Sequence, residues 1–392
     1  MPGVDTGTRE LEKNMNRYNN SMLRQVWSLP ELIEQQYEDL EPKTRSILTF
    51  QEIFNIQRII LTGCGDSFAA CMSEKYAFEK LTGIPTEAVP ALELARFYDR
   101  KQLGFDVRNP LVIAVSNSGN VSRVGEAVMR ARDAGSYVLA VTGNMDSLLA
   151  KNSDKILKLD IPSFDPAPGT RSYMVSVMAL LFLAIRFGEV RHRYTMDEAM
   201  DMRFDIRDQG KALRETLPEM EEKTEPLAES WKDMPYFEFS GAGADYAAAW
   251  FGSAKILEAT GRFSSAVSVE DWFHLNYFVR NIDEAPILLC TMKENLAWSR
   301  AEELIAMCHD MKRPLAVVTN DTELLLPGKV TMITAPWAQY KQSCAVTEFV
   351  PFCMFAGVLK ELLGEEYGRG SKGRWAGSRD GKSVNSSRIV MV

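Results

Sequence analysis

The chain has 392 residues, of which 46% are hydrophobic and 25% charged, with a net charge of -8 at neutral pH. That length supports two or three domains of roughly 150 residues each, and the composition is ordinary for a globular protein. The negative balance, with no Lys/Arg run to offset it, argues against a polyanion-binding surface and excludes nucleic acid as an expected partner.

In chain order, the start Met1-Pro2-Gly3-Val4-Asp5 lacks the basic-then-apolar pattern of a leader. Residues 1–50 read as a helical lead-in, with Leu23, Val26, Leu29, Leu32 and Ile33 at helical spacing and Pro30 suited to a first turn. Residues 51–190 form a first α/β domain. It opens with a buried strand over 57–62 that stops at Gly63, followed by a helix over 67–80. A second strand over 111–116 runs into the polar turn Asn117-Ser118-Gly119-Asn120 and a helix over 121–133. Strands over 137–142 and 155–161, a proline-rich loop over 161–169 and a closing helix over 172–187 complete it.

Residues 191–233 are strongly charged, and Met202, Phe204, Ile206, Leu213 and Leu217 supply an apolar stripe, so a helical connector is expected. Residues 234–365 form a second α/β domain. Its strands fall over 236–240, 286–291, 314–319 and 329–334, and its helices over 244–259, 296–311 and 343–363. Residues 366–392, rich in glycine, serine and basic side chains, read as a tail. Strands separated by helices of this length predict parallel sheets covered on both faces, which makes each domain a three-layer αβα sandwich.

The two halves repeat one another. Gly63 and Gly241 end strands, Gly83 and Gly261 end the helices that follow, and both pairs stand 178 residues apart. Such self-similarity marks a duplicated strand, glycine turn, helix unit, and paired α/β halves leave a cleft suited to small-molecule chemistry. Six cysteines without a CxxC pair, mostly in apolar segments, predict core thiols in a reducing compartment rather than disulfides or zinc. The longest apolar stretch, 174–187, is interrupted by Arg186, so no membrane span is expected and the location is read as cytoplasmic.

Four places could carry chemistry. Ser116, Asn117, Ser118 and Ser122 set hydroxyls, an amide and backbone N–H groups where a strand meets a helix, an arrangement that either binds phosphate or merely caps the helix. Gly65 and Ser67 lie in a similar turn, which is no dinucleotide fingerprint because Phe68 stands where the third glycine belongs. Lys255 and Glu258 share a helix face in an otherwise apolar helix, as a surface ion pair or as a partly desolvated general base. Of three histidines, His192 and His309 read as surface residues. His274, among Trp272, Phe273, Tyr277 and Phe278, reads as a half-buried imidazole, either titrating near neutrality or packed against a carbonyl.

Together these residues resemble the double-domain branch of the sugar isomerase (SIS) family, which includes the isomerase half of glutamine:fructose-6-phosphate amidotransferase and fructoselysine 6-phosphate deglycase. The likeness covers roughly residues 25–390 and rests on Ser116-Asn117-Ser118-Gly119, on Ser67, on Lys255-Ile256-Leu257-Glu258, and on His274 sixteen positions beyond Glu258. It implies two tandem SIS domains, no cofactor or metal, a phosphorylated sugar as ligand and a homodimer. By the same likeness Glu258 moves a proton between C1 and C2. His274 opens the ring or serves the sugar oxygens, from its own chain or a neighbouring subunit, and Lys255 supports Glu258 or holds hydroxyls. Lys382, in Gly381-Lys382-Ser383-Val384, corresponds to a lid contact. Asn120 and Val121 replace the family's usual Glu-Thr, Asp66 replaces a threonine, and Leu275-Asn276 replaces Gly-Pro. No glutaminase domain precedes residue 25 in this sequence, so a glutamine-independent enzyme is expected. Its leading activity would be deglycation or deamination of a 6-phosphorylated amino sugar or Amadori adduct. The alternatives are a plain aldose/ketose phosphate isomerase and a non-catalytic sugar-phosphate sensor.

Overall fold

A computed structural model describes residues 18–376 and 383–392. After helix α1 (Ser21–Ser46) and helix α2 (Phe50–Asn55), the latter closed at its start by a Thr49–Glu52 capping box, five strands alternate with helices. They are β1 (Ile59–Gly63), β2 (Thr86–Pro90), β3 (Leu111–Val115), β4 (Tyr137–Thr142) and β5 (Lys155–Lys158). All pair in parallel, in the order β2-β1-β3-β4-β5. Between them run α3 (Asp66–Thr82), α4 (Ala91–Arg96), α5 (Ser122–Ala134) and α6 (Leu148–Lys151), and α7 (Arg171–Val190) follows. β1, β3 and β4 are buried along their whole length, which is why they read as continuous apolar runs.

The charged connector is helix α8 (Met196–Trp231), 36 residues with Pro218 and Pro226 inside it. Met202, Ile206, Leu213 and Leu217 are buried as the stripe required, while Phe204 sits at its flank with 36% exposure. The second sheet holds β6 (Tyr236–Gly241), β7 (Phe263–Ser268), β8 (Ile287–Cys290), β9 (Leu315–Thr319) and β10 (Thr331–Thr334), again all parallel, in the order β10-β9-β8-β6-β7. Read from the other edge this is the order of the first sheet, so the duplication extends to topology. Its helices are α9 (Ala244–Thr260), α10 (Val269–His274), α11 (Trp298–Met311) and α12 (Val350–Leu362).

The chain divides into two compact units. One comprises the described residues up to Glu34, Ser163–Arg171 and Arg207–Arg369; the other comprises Gln35–Pro162, Ser172–Ile206 and the described residues from Gly370 onward. The core of the latter gathers Ile60, Val112, Ala114, Val124, Val128, Val138 and Ala140. In the former, Trp272, Ile287, Leu289, Leu304 and Val317 form the equivalent cluster. Five of the six cysteines are buried and Cys64 is half-buried; all six are free thiols. Two helical segments, Arg171–Val190 and Lys341–Leu362, are long and apolar enough to cross a bilayer, against the expectation that no stretch would be. Such a span tolerates an isolated charge like Arg186, and 94% of each is buried within the protein, as core helices are.

Candidate functional site

In the order β2-β1-β3-β4-β5 the chain winds outward from β1 in one direction and from β3 in the other. The loops leaving β1 and β3 therefore diverge, opening a crevice at the carboxyl ends of two adjacent strands. At the β1 exit Gly65 has φ +54° and ψ -130°, and a Cβ on Gly63 would stand 2.9 Å from the Ser67 carbonyl carbon. These glycines let α3 start directly at the strand end, with half-buried Ser67 in its first turn and no side chain capping the helix.

The β3 exit is held by its neighbour. Ser116 is buried, and its Oγ accepts the Gly119 N–H at 3.1 Å. The Asn117 carbonyl accepts from Gly143 N at 3.0 Å, the Gly119 carbonyl from Leu149 N at 2.9 Å, and Asn120 Oδ1 from Leu148 N at 3.2 Å. Gly119 sits at φ +67°, where an added Cβ would lie 2.1 Å from Ser147 Oγ. Asn117 and Ser118 are exposed, and among the described residues their backbone N–H groups have no protein acceptor. The simple capping reading fails, because the N-cap of α5 is Val121 and no side chain caps that helix; Ser122 is its buried first residue. Two uncapped helix N-termini thus start from neighbouring strands, each with unpaired donors and partial positive charge.

Sequence reasoning missed Arg123, whose guanidinium lies near enough to Cys64 to oppose the rise that burial imposes on that thiol's pKa. Arg123 pairs with Glu126 and donates to Ser387 Oγ and the Arg388 carbonyl, while Glu126 Oε2 accepts the Val390 N–H at 2.9 Å. The last residues of the tail are therefore docked on α5, a contact between distant segments that no local pattern announces. Lys382 lies outside the described residues.

The other unit repeats the crevice with different side chains. Gly243 has φ +62° and ψ -128°, and α9 again starts uncapped at the strand end. At the position equivalent to Ser67 stands Asp245, 3% exposed. Its carboxylate accepts the Met292 N–H at 2.8 Å and Asn295 Nδ2 at 2.7 Å. Thr291 N–H bonds to the Val318 carbonyl on β9 as Ser116 N–H bonds to the Val141 carbonyl on β4, so Met292 answers to Asn117. Burial pushes the Asp245 carboxyl up to about 6, against the hydrogen bonds from Met292 and Asn295.

On α9, Lys255 Nζ meets Glu258 Oε2 at 2.8 Å and lies 4.5 Å from the Phe251 ring centre. The desolvated member is the opposite of the one expected: the Lys255 side chain is wholly buried, whereas Glu258 is 43% exposed. The helix turns its apolar stem inward, so Lys255 threads through that face and the carboxylate remains at its edge.

His274 also departs from expectation. Its side chain is 67% exposed, and Nε2 lies 3.1 Å from Glu270 Oε1. Two residues are 200° of helical turn, so α10 sends Trp272 into the core and His274 outward. Tyr277 and Phe278 are themselves exposed and do not enclose it. Glu270 also takes Arg300 at 2.6 Å, and that guanidinium, with His274, holds the Glu270 carboxyl below its usual range. Among the described contacts none joins His274 to Glu258. His192 and His309 are exposed, as expected. No group of three or more His, Cys, Asp or Glu that could hold a metal occurs among the described residues.

The SIS domain family matches residues 52–186. Glutamine--fructose-6-phosphate aminotransferase [isomerizing] of Clostridium acetobutylicum is 27% identical over 249 residues, which are 62% of this chain and 40% of that protein. The chain thus spans about two fifths of the length of that relative. The fold is shared with the C-terminal domain of glucosamine-fructose-6-phosphate aminotransferase from Francisella tularensis, with a TM-score of 0.78 and 15% identity over 90% of this chain and 99% of that one. It is also shared with tagatose-6-phosphate ketose/aldose isomerase from Escherichia coli, with a TM-score of 0.72 and 17% identity over 89% of this chain and 95% of that one.

Proposed function

From the match of residues 52–186 to the SIS domain family and the shared fold, we propose that the chain belongs to that family and is a glutamine-independent enzyme acting on a 6-phosphorylated amino sugar or Amadori adduct. The phosphate is taken by Gly65, Ser67, Ser116, Asn117, Ser118 and Ser122. The observation that carries this reading is the exchange between the two crevices. One supplies its own carboxylate, Asp245, to the backbone donor of Met292; the other presents Ser67 and leaves the matching donor of Asn117 without a protein acceptor among the described residues. A chain that neutralises one such donor set internally and leaves its twin open has room there for an external oxyanion.

Glu258 is the base. On a ketosamine it removes a proton from C1, the C1–C2 double bond forms and O2 is protonated. Return of a proton to C2 gives an imine at C1, which water hydrolyses to the aldose phosphate and the free amine. Lys255, whose Nζ lies 2.8 Å from Oε2, orients the Glu258 carboxylate. His274, exposed on its own chain, serves ring opening and proton transfer at the sugar oxygens, from the same chain or from a second copy in a homodimer. Phosphate held away from the reacting carbons supplies the binding energy that positions them.

The test is incubation with fructoselysine 6-phosphate, glucosamine 6-phosphate and fructose 6-phosphate, followed by mass spectrometry. Release of amine from either of the first two is expected. Interconversion of fructose 6-phosphate alone would make the protein a plain isomerase. Binding of all three without conversion would make it a sensor, and neither binding nor conversion would remove the proposal.

A further inference from the structure

Glu238 on β6 and Arg313, just before β9, form an ion pair at 3.2 Å with both side chains fully buried. Neither has a part in the chemistry above. A buried ion pair adds little net stability over apolar packing of the same volume, because desolvating two charges offsets their attraction. What this pair does have is geometry. Glu238 Oε2 accepts Asn276 Nδ2 at 2.6 Å and the Tyr236 hydroxyl at 3.2 Å. Arg313 Nη1 donates to the Asn276 carbonyl at 3.0 Å, Nε donates to the Ala285 carbonyl at 2.9 Å, and the guanidinium lies 5.5 Å from the Trp272 ring centre. Asn276 is thus gripped through both side chain and backbone, and Trp272 is wholly buried. The residues two before and two after His274 are fixed, while the imidazole between them faces outward. The Asn276 side-chain amide is what lets Glu238 hold this segment.

We propose that Glu238, Arg313 and Asn276 are positioning residues: a buried clamp that holds the segment carrying His274 so that an exposed imidazole keeps one orientation. The proposal rests on the role given to His274 above. It goes beyond that role by naming what orients a ring whose recorded side-chain partner, Glu270, is itself exposed on the same short helix.

The test uses Asn276→Leu, which removes the amide at similar side-chain length and leaves the buried ion pair intact, together with His274→Ala and the double variant. Two readouts are taken on the full chain: NMR relaxation of the His274 imidazole, and turnover of whichever of the three sugar phosphates the wild type converts. In N276L the ring is expected to gain mobility and kcat to fall about tenfold with KM unchanged, while N276L adds nothing to the loss already caused by H274A. An equal loss in the H274A background would show a general structural role and overturn the clamp. So would a ring as ordered in N276L as in the wild type. Wild-type turnover by H274A would remove the role of His274 itself, and the clamp's purpose with it, whereas normal turnover by N276L beside an impaired H274A would remove the clamp alone. Should the wild type convert none of the three, ring mobility alone decides the clamp.

Discussion

Ser67 and Asp245 occupy the same place in the two halves, and one carboxylate separates a crevice with open donors from one already satisfied. Ser67→Asp should therefore close the first crevice as Asp245 closes the second. Affinity for inorganic phosphate or fructose 6-phosphate is expected to fall at least about tenfold, since removing paired donors and adding a like charge both disfavour the anion. Calorimetry reads this directly, and unchanged affinity would put the phosphate elsewhere. Glu258→Gln should lose at least about 100-fold in turnover while substrate still binds, the size expected for loss of a general base. Steady-state kinetics alongside ligand titration separates the two effects. Asp245 itself makes a pH prediction. Its folded-state pKa is raised from 3.8 to about 6, so the folded protein binds more protons than the unfolded chain across that interval. Stability should then fall as pH rises from about 4 to about 6 and level off above, a slope that Asp245→Asn removes. Urea midpoints at several pH values for both proteins measure it.

At the scale of elements, α9 lies close against α12. A Cβ on Gly252 would stand 2.7 Å from the Phe352 Cβ and 2.9 Å from the Phe239 ring. Gly252→Ala is expected to cost about 1–3 kcal/mol through overpacking, read from urea unfolding, even though alanine is the better helix former. Most elements were legible. β1, β3, β4, β8 and β9 are largely apolar runs and β6 ends at a glycine turn, and helices of ten or more residues between most of them required parallel pairing. The two that went unread, β2 and β7, are each at a sheet edge next to the first strand of its half. Thr86–Pro90 carries Glu87 and ends in proline, and Phe263–Ser268 holds three serines, so neither shows the apolar run of a central strand. Their signal lay in the repeat: both follow a helix-ending glycine, Gly83 or Gly261, by three or fewer residues. The candidate site was legible in residue identity and spacing, but not in exposure. Lys255 and Glu258 met as their spacing required, whereas His274 turned outward because helical phase, rather than local composition, decides which of two nearby residues is buried.

For the whole molecule, the six free thiols offer a measurement of how the core closes. A thiol reagent should modify Cys64 alone in the native protein and all six after unfolding, and inorganic phosphate should slow the native reaction because Cys64 lies between the glycines of the proposed anion turn. Native labelling of a second cysteine would show that a core is open. The amino-acid sequence alone determined the duplication, the parallel α/β class and which residues are candidates for the chemistry, since glycine turns, apolar runs and helical spacing are properties of neighbours along the chain. Only the tertiary structure decided that residues 18–34 of the lead-in pack with the second half, that the final residues dock on α5, and that Asp245 fills its crevice while Ser67 leaves its twin open. Each of these joins segments far apart in the chain, and which distant groups meet depends on how the assembled layers bury their surfaces, a quantity that no window of neighbouring residues contains.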